Sequence, residues 1–234
     1  IRYKRSVLGI GWTMLSPLLN MVALTIAFSA ILKQAIWNYP VYYLTGYLIW
    51  AFFAQATGHA ATLTVDAVEI TQRIYIPRSV FVASAVGVAL VNLVLSLVPL
   101  LFIIVATLYP VRWTWVFLPV SMVVAAVFTC GVGLVVFTLA SRFADVKETY
   151  LVLLSSWFFA TPIVYSPQIV PAKYRLIIDA NPMTYIVELF RAPIYQGALP
   201  DLRTFGIATA IALATFLLGW LLYAAKIEDY ASRS

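Results

Sequence analysis

Charged residues are scarce in this sequence, and cysteine and histidine occur once each. Only 10% of the 234 residues are charged, and Cys130 and His59 lie in separate apolar segments. A lone cysteine cannot form a disulfide within the chain, and these two residues alone do not make a metal site. We therefore expect Cys130 to pack as a small residue, and His59 to pack or to line a polar seam with Gln55 and Thr57.

Six long intervals of the sequence contain no Asp, Glu, Lys or Arg. These are residues 6–32, 34–65, 79–111, 113–141, 149–172 and 204–225. Proton relays, ion sites and acid–base catalysis inside a membrane need titratable side chains. The intervals therefore argue against an ion-coupled secondary transporter and against an intramembrane enzyme. The chain also lacks a complete G-x-x-x-x-G-K-[ST] or G-x-G-x-x-G loop, so any nucleotide that powers the protein binds to another chain.

Apolar residues make up 63% of the chain. Each charge-free interval exceeds the roughly 20 residues that cross a bilayer core. Each is apolar on all sides, as helices are, and lacks the alternation of barrel strands. We predict an all-α integral membrane protein with a single transmembrane domain over residues 1–234. Its six transmembrane helices lie at about residues 13–33, 43–64, 81–107, 116–140, 149–166 and 205–225.

Six spans place both termini on one side of the membrane. Nine of the 15 Lys and Arg residues then lie on the side of the termini and six on the other. The positive-inside rule therefore predicts that both termini are cytoplasmic. The net charge of +6 suits contact with the anionic lipids of the inner leaflet. The sequence offers no soluble basic face with stacking residues, so we expect no nucleic-acid partner.

A charged segment connects the second and third predicted spans. Residues 66–79, DAVEITQRIYIPRS, place two acidic residues before two basic ones. This order suits the dipole of a short helix, and Pro77 ends that helix before the next span. The apolar patch at residues 74–76 within mixed charge favours a docking surface over a merely solvated loop.

The fifth predicted span combines aromatic rings with a proline. Residues 155–166, SSWFFATPIVYS, contain no charged residue and place four rings around Pro162. Proline removes a backbone hydrogen bond and kinks a helix. Membrane proteins tolerate such a break where protein or a cavity replaces lipid.

Another proline, Pro182, lies in the segment NPMTYIVELFR. Asn181 can cap a helix, and Pro182 suits its first position. The resulting helix, at about residues 182–192, is too short to cross the membrane. We expect it to dip into the outer leaflet as half of a re-entrant hairpin, in which Glu188 and Arg191 can pair on one face.

These segments, in their order and spacing, resemble the permease subunits of ABC-2-type transporters, specifically the polysaccharide and polyol-phosphate exporters. The resemblance covers nearly the whole chain through RYKRSVLGIGW, IYIPRS, FADVKE, FFATPIVYS and NPMTYIVELFR. Two features depart from it. Ala144 stands between Phe143 and Asp145 where the family usually has arginine. The amphipathic helix that precedes RYKRS in the family is missing, as expected of a sequence that lacks the N-terminus of a longer protein.

The resemblance implies a homodimer that pairs with two copies of a separate ATPase subunit in the bacterial inner membrane. ATP and Mg would bind to that ATPase, and this chain would hold no cofactor. Residues 66–79 would form the cytoplasmic coupling helix, with contacts to the ATPase from Asp66, Glu69, Arg73, Tyr75, Pro77 and Arg78. The basic start of the chain would lie near the ATPase or lipid headgroups through Arg2, Lys4 and Arg5.

The resemblance also implies a channel lined by aromatic rings, over which the sugar faces of a polymer slide. The candidate rings are Tyr43, Tyr47, Trp50, Trp157, Phe158, Phe159 and Tyr165. For any single ring, an interfacial aromatic belt or core packing is the alternative. The hairpin between the fifth and sixth spans is expected to be an outer gate, with a passive cap as the alternative. Its residues are Pro162, Asn181, Pro182, Glu188 and Arg191.

We therefore expect a permease that exports a lipid-linked polysaccharide or polyol-phosphate polymer, such as O-antigen, capsule or teichoic acid, and that is not itself an enzyme. An ABC-2 exporter of a small amphipathic drug or lipid is the alternative within transport. A membrane-embedded glycosyl- or phosphotransferase is a weaker alternative. It would need acidic metal ligands, and Asp145, Glu148 and Asp179 fall on opposite sides of the predicted membrane topology.

Overall fold

A computed structural model describes residues 36–63, 77–143 and 145–231, together with residues 15, 18–23 and 26. Side chains are described as far as Lys226. Most of the first predicted span lies outside these residues. Seven predicted site residues also lie outside them, namely Arg2, Lys4, Arg5, Asp66, Glu69, Arg73 and Tyr75.

The described part of the chain consists of helices and turns and contains no strand, which confirms the all-α prediction. The helices are α1 (Tyr39–Thr62), α2 (Ser79–Ala106), α3 (Leu118–Ala140), α4 (Asp145–Ala160), α5 (Ala172–Asp179), α6 (Pro182–Arg191) and α7 (Leu202–Ala231). Short 3-10 helices at Trp113–Phe117 and Pro167–Ile169 and a π-helical turn at Ala192–Gln196 join them.

Three of the described helical segments are long and apolar enough to cross a membrane. They are α2, the continuous stretch Trp113–Ala140 that includes α3, and Leu202–Lys226 of α7. They lie at the third, fourth and sixth predicted spans. Helices α1 and α4 lie at the second and fifth, but α4 ends at Ala160, before the predicted end, because Pro162 interrupts it. The set of six spans stays a prediction.

Helix α1 is central to the described bundle. It packs against α2, α3, α4 and α6, and most of its side chains are buried. Helix α7 lies at the periphery and makes its most extensive contact with α3. The aromatic residues of α1 therefore contribute much of the core.

Helix α6 packs at one end of the bundle, against α1, α3 and α7, and we call this the α6 end. Pro193 has no N–H to donate to the carbonyl of Leu189 one turn earlier. Ser121 of α3 donates its hydroxyl to that Leu189 oxygen at 2.8 Å. Thr114 donates to the carbonyl of Pro193 at 2.7 Å. These bonds fix α6 to the start of α3.

The two rare side chains differ in their surroundings. Cys130 is partly buried and packs against the core, as expected. His59 is exposed beside Gln55, whereas Thr57 is buried and donates to the carbonyl of Phe53. The expected packing of His59, and its seam with both neighbours, is wrong within this chain. Residues 55 and 59 share one face of α1, and residue 57 lies on the opposite face.

Candidate functional site

The candidate site is built around the unwound segment, residues 161–166, which follows α4. Pro162 lacks an N–H and ends the helix, so the backbone here has no helical partners. Residues 161–164 are nevertheless buried. Buried backbone carbonyls need hydrogen-bond donors, and in this segment most of those donors are side chains of other helices.

Arg191 of α6 supplies the central donors. Its side chain is 2% exposed. Nη1 donates to the carbonyl of Pro162 at 2.9 Å, and Nη2 donates to that of Ile163 at 3.3 Å. Nη1 also donates to the hydroxyl of Tyr42 at 3.1 Å, and Cζ lies 4.0 Å from the centroid of the Tyr42 ring. The guanidinium is thus held by carbonyl dipoles and by a cation–π contact.

Two tyrosines of α1 supply the next donors along the unwound segment. Tyr39 donates its hydroxyl to the carbonyl of Val164 at 3.0 Å. Tyr42 donates to the carbonyl of Tyr165 at 2.8 Å. The carbonyl of Thr161 accepts from the backbone N–H of Ile163 at 2.7 Å. The unwound segment is therefore anchored to α1 and α6 at successive carbonyls.

Asn181 joins the end of α4 to the start of α6. Its Oδ1 accepts from the backbone N–H of Met183 at 3.0 Å, which confirms the predicted cap, with Pro182 in the first turn. The same oxygen accepts from Trp157 Nε1 at 2.8 Å. Nδ2 donates to the carbonyl of Ala160 at 3.1 Å. With this bond, every carbonyl from Ala160 to Tyr165 has a donor.

The predicted pairing of Glu188 with Arg191 is wrong in the described part of the chain. Arg191 turns into the protein and is committed to the unwound segment. Glu188 instead accepts a hydrogen bond from the side-chain amide of Gln196. Residues three positions apart lie on one face of a helix. A long arginine side chain can nevertheless turn away from that face to donate to backbone carbonyls of another segment.

A cavity of about 630 Å³ lies beside the unwound segment at the α6 end. Its lining includes Arg191, Tyr42, Glu188, Trp37, Tyr195 and Gln168. Tyr195 donates its hydroxyl to the carbonyl of Trp37 at 2.6 Å. Burial raises the pKa of Tyr195, so the phenol keeps the proton that it donates.

The predicted channel rings occupy different environments. Tyr43 and Trp50 are buried inside the single chain. Trp157 packs edge-on against Trp50 and Phe53, with ring centroids 6.2 and 5.3 Å apart. Trp157 is half-buried, as are Tyr47, Phe158 and Tyr165. Phe159 is 70% exposed, so among these rings it has the largest surface free for a substrate, a second subunit or lipid.

Replacement of Trp157 and of Phe159 by leucine should separate packing from substrate contact. Trp157→Leu removes the bond to Asn181 and two ring contacts, so we expect a loss of about 2 kcal/mol of stability. Phe159→Leu should leave the melting temperature of the purified protein near that of the wild type, since the ring is exposed. Export should fall in Phe159→Leu if this ring contacts the polymer. Normal export in that variant, or equal melting temperatures of the two variants, would contradict this division.

Only two residues of the predicted coupling set are described. Pro77 is exposed just before α2, and Arg78 is half-buried at its N-terminal boundary. Tyr223 of α7 accepts a hydrogen bond from the backbone N–H of Ser79 at 3.1 Å, which fixes the start of α2.

Asp145 and Glu148 lie in the first turn of α4, directly after the loop that follows α3. Their negative charge there suits the helix dipole. The described residues contain no group of three His, Cys, Asp or Glu side chains that could hold a metal ion.

The sequence did not predict that Tyr39, Tyr42 and Arg191 donate hydrogen bonds to the unwound segment. Pro162 is a signal that carbonyls are freed, and Arg191 is one of two charged residues in the helix Pro182–Arg191 that follows. Neither signal identifies which carbonyls the guanidinium reaches.

Comparison with known proteins gives matches over most of the chain. The family model described as ABC-2 type transporter matches residues 1–195. The O-antigen export system permease protein RfbA of Myxococcus xanthus is 28% identical, covering 98% of this chain and 89% of that protein. A protein of the same name from Klebsiella pneumoniae is 28% identical over 85% of this chain and 77% of its own length. The polysialic acid transport protein KpsM of Escherichia coli is 22% identical over 97% and 89%, respectively.

Proposed function

This chain belongs to the ABC-2 type transporter family, and we propose that it is the permease subunit of an ATP-driven exporter of a lipid-linked polysaccharide or polyol-phosphate polymer. Its role is transport across the bacterial inner membrane and not catalysis. The observation that carries the substrate class is the similarity, over nearly the full chain, to permeases named for export of O-antigen and of polysialic acid. Both of those substrates are glycans.

The proposed assembly is a homodimer with two copies of a separate ATPase. ATP and Mg bind to that ATPase, because this sequence lacks a complete phosphate-binding loop. Both termini face the cytoplasm, which follows from the six-span prediction and the distribution of basic residues. The start of the chain then lies near the ATPase and the lipid headgroups.

The proposed coupling helix, residues 66–79, lies on the cytoplasmic side before α2. Its mixed charges and central apolar patch suit a docking surface on the ATPase. The bond between Tyr223 and the start of α2 supports this role, because a fixed start of α2 would pass a movement of the coupling helix on to the bundle.

The proposed outer gate consists of α5, α6 and the unwound segment. Helix α6 has 10 residues and is too short to cross a membrane. The bonds from Asn181 to the last carbonyl of α4 and from Arg191 to the carbonyl of Pro162 support a gate in which α6 and this backbone move together. Phe159 and the half-buried rings beside it are the proposed contacts of the polymer, since their surfaces are free in the single chain.

The function is tested by deleting the gene and following the polymer. Cells that lack this protein should accumulate lipid-linked polymer in the cytoplasm and lose it from the surface, and the wild-type gene should restore export. Normal surface polymer in the deletion strain would contradict the proposal. Sensitivity to an amphipathic drug, with unchanged surface polymer, would favour the alternative drug or lipid exporter.

Reversal of two charges in the coupling helix should uncouple the permease from its ATPase. We expect the double variant Glu69→Arg, Arg73→Glu to fold and insert but to copurify poorly with the ATPase and to fail in stimulating ATP hydrolysis. The matched control is Asp201→Arg, Arg203→Glu, an exposed pair at the start of α7 on the opposite side of the proposed topology. Unchanged copurification and ATP hydrolysis in the coupling variant would remove the assignment.

A further inference from the structure

The cavity at the α6 end has the size and lining of a ligand site. Its volume of about 630 Å³ lies within the range of about 300–1,000 Å³ that is typical of small-molecule pockets. Helix α6, the turn before α1 and the segment after the unwound backbone all contribute to its wall. The described residues on the wall include one acid, Glu188, and one base, Arg191, so opposite charges balance there.

One wall of the cavity is an aromatic surface that is fixed in place. Trp37 lines it and is 65% exposed. The Trp37 ring lies 4.9 Å from the ring of Tyr109, and its carbonyl accepts the hydroxyl proton of Tyr195. Asn38, which follows it, has a φ of 47°, a left-handed conformation that asparagine tolerates. The indole is therefore positioned before any ligand binds.

The lining of the cavity also carries polar and charged groups. Arg191 lines the cavity and places a positive charge there. Glu188 accepts from Gln196 but, as a carboxylate, has capacity for further donors. Gln168 also lines the cavity and adds an amide.

An aromatic plane in one cavity with a carboxylate, amides and a guanidinium is the chemistry that recognises a sugar ring. The C–H face of a sugar packs on an indole, while its hydroxyls both donate to a carboxylate and accept from N–H groups. Because the charges of Glu188 and Arg191 balance, the lining does not favour a purely anionic ligand over a neutral sugar.

We propose that this cavity binds one sugar unit of the exported glycan at the outer mouth of the permease. The inference rests on the proposed function and adds a binding site to it. Arg191 both lines the cavity and holds the unwound segment. A sugar bound in the cavity would therefore lie against the side chain that anchors the proposed gate. A sugar held there would oppose backward sliding of the polymer while the next units are moved.

Binding can be measured on the complex of permease and ATPase in lipid nanodiscs. The probe is the water-soluble oligosaccharide released by mild acid from the polymer of the host strain, followed by saturation-transfer NMR. We expect Trp37→Ala to weaken its affinity by about tenfold and Trp37→Phe to restore most of it. The control is Trp113→Ala, an indole that is 74% exposed and does not line the cavity.

The outcomes separate the site from the function. Equal affinity in Trp37→Ala and Trp113→Ala, in a complex that still exports glycan, would overturn the site and leave the proposed function standing. Complete competition by inorganic phosphate would show an anion site and would also overturn it. Equal loss of export in both tryptophan variants, with unchanged oligosaccharide binding, would identify Trp37 as an interfacial anchor. Failure of the proposed function itself would appear as normal surface polymer in the deletion strain.

Discussion

We expect Arg191→Met to abolish export and to lower the stability of the permease by about 3–5 kcal/mol, because several buried hydrogen bonds are lost. Methionine fills a similar volume but removes every donor, so the carbonyls of Pro162 and Ile163 lose their side-chain partner. Each buried polar group left without a partner costs about 1–3 kcal/mol. Arg191→Lys should give an intermediate loss, because a single ammonium does not reproduce the planar fork that reaches both carbonyls and stacks on Tyr42.

Thermal unfolding in detergent and surface display of the polymer measure this effect. Arg175→Met is the matched control, because Arg175 is an exposed arginine on α5. Gly46→Ala perturbs the same contact from the other side, since an added Cβ would lie 2.2 Å from Nη2 of Arg191. A melting temperature of Arg191→Met equal to that of Arg175→Met would show that the unwound segment does not depend on this guanidinium.

Local chemistry made one part of the site predictable. Pro162 ends α4 and Asn181 caps α6 because of interactions within a few residues, and such interactions are visible in the sequence. The partners of Arg191 were not predictable in the same way. Its acceptors lie 28 and 29 residues earlier, and Tyr42 lies 149 residues earlier. Sequence spacing on one helix instead suggested Glu188, which is near in sequence but bonded elsewhere.

The aromatic residues show a second limit. Residues 157 and 159 are two positions apart on a helix, so the sequence predicts that they face in different directions. Which of the two faces inward was not predictable, because the segment is apolar on all sides and gives no amphipathic pattern. The structure buries part of Trp157 against Trp50 and leaves Phe159 exposed.

The spans themselves follow from the absence of charge. Helices α2 and α3 begin and end close to the predicted bounds, because a run of apolar residues bounded by polar ones fixes a membrane helix at both ends. How the helices pack was not predictable from this pattern, since lipid-facing and helix-facing surfaces are equally apolar. Glycine matters to this packing, because it lets two helix backbones approach closely where they cross.

Gly131→Leu should prevent the stable association of α3 with α7. A Cβ added at Gly131 would lie 2.5 Å from the backbone nitrogen of Phe216 and 2.6 Å from the carbonyl carbon of Thr215. A Cβ at Gly219 would lie 2.4 Å from the carbonyl oxygen of Gly131. These neighbours are backbone atoms, which cannot rotate away as side chains do, so the helices must separate. Small residues at such crossings let membrane helices pack closely.

The size of the substituent should set the size of the effect. Gly131→Ala and Gly219→Ala should each lower stability by about 1–3 kcal/mol through overpacking, and Gly131→Leu should leave little folded protein in the membrane. Gly206→Ala is the control on α7, since no heavy atom of the described neighbours lies within 4 Å of its added Cβ. There alanine should be neutral or stabilising, because it favours a helix over glycine by about 1 kcal/mol. Melting temperatures that rank Gly131→Ala with Gly206→Ala would mean that the α3–α7 crossing is looser than its backbone distances indicate.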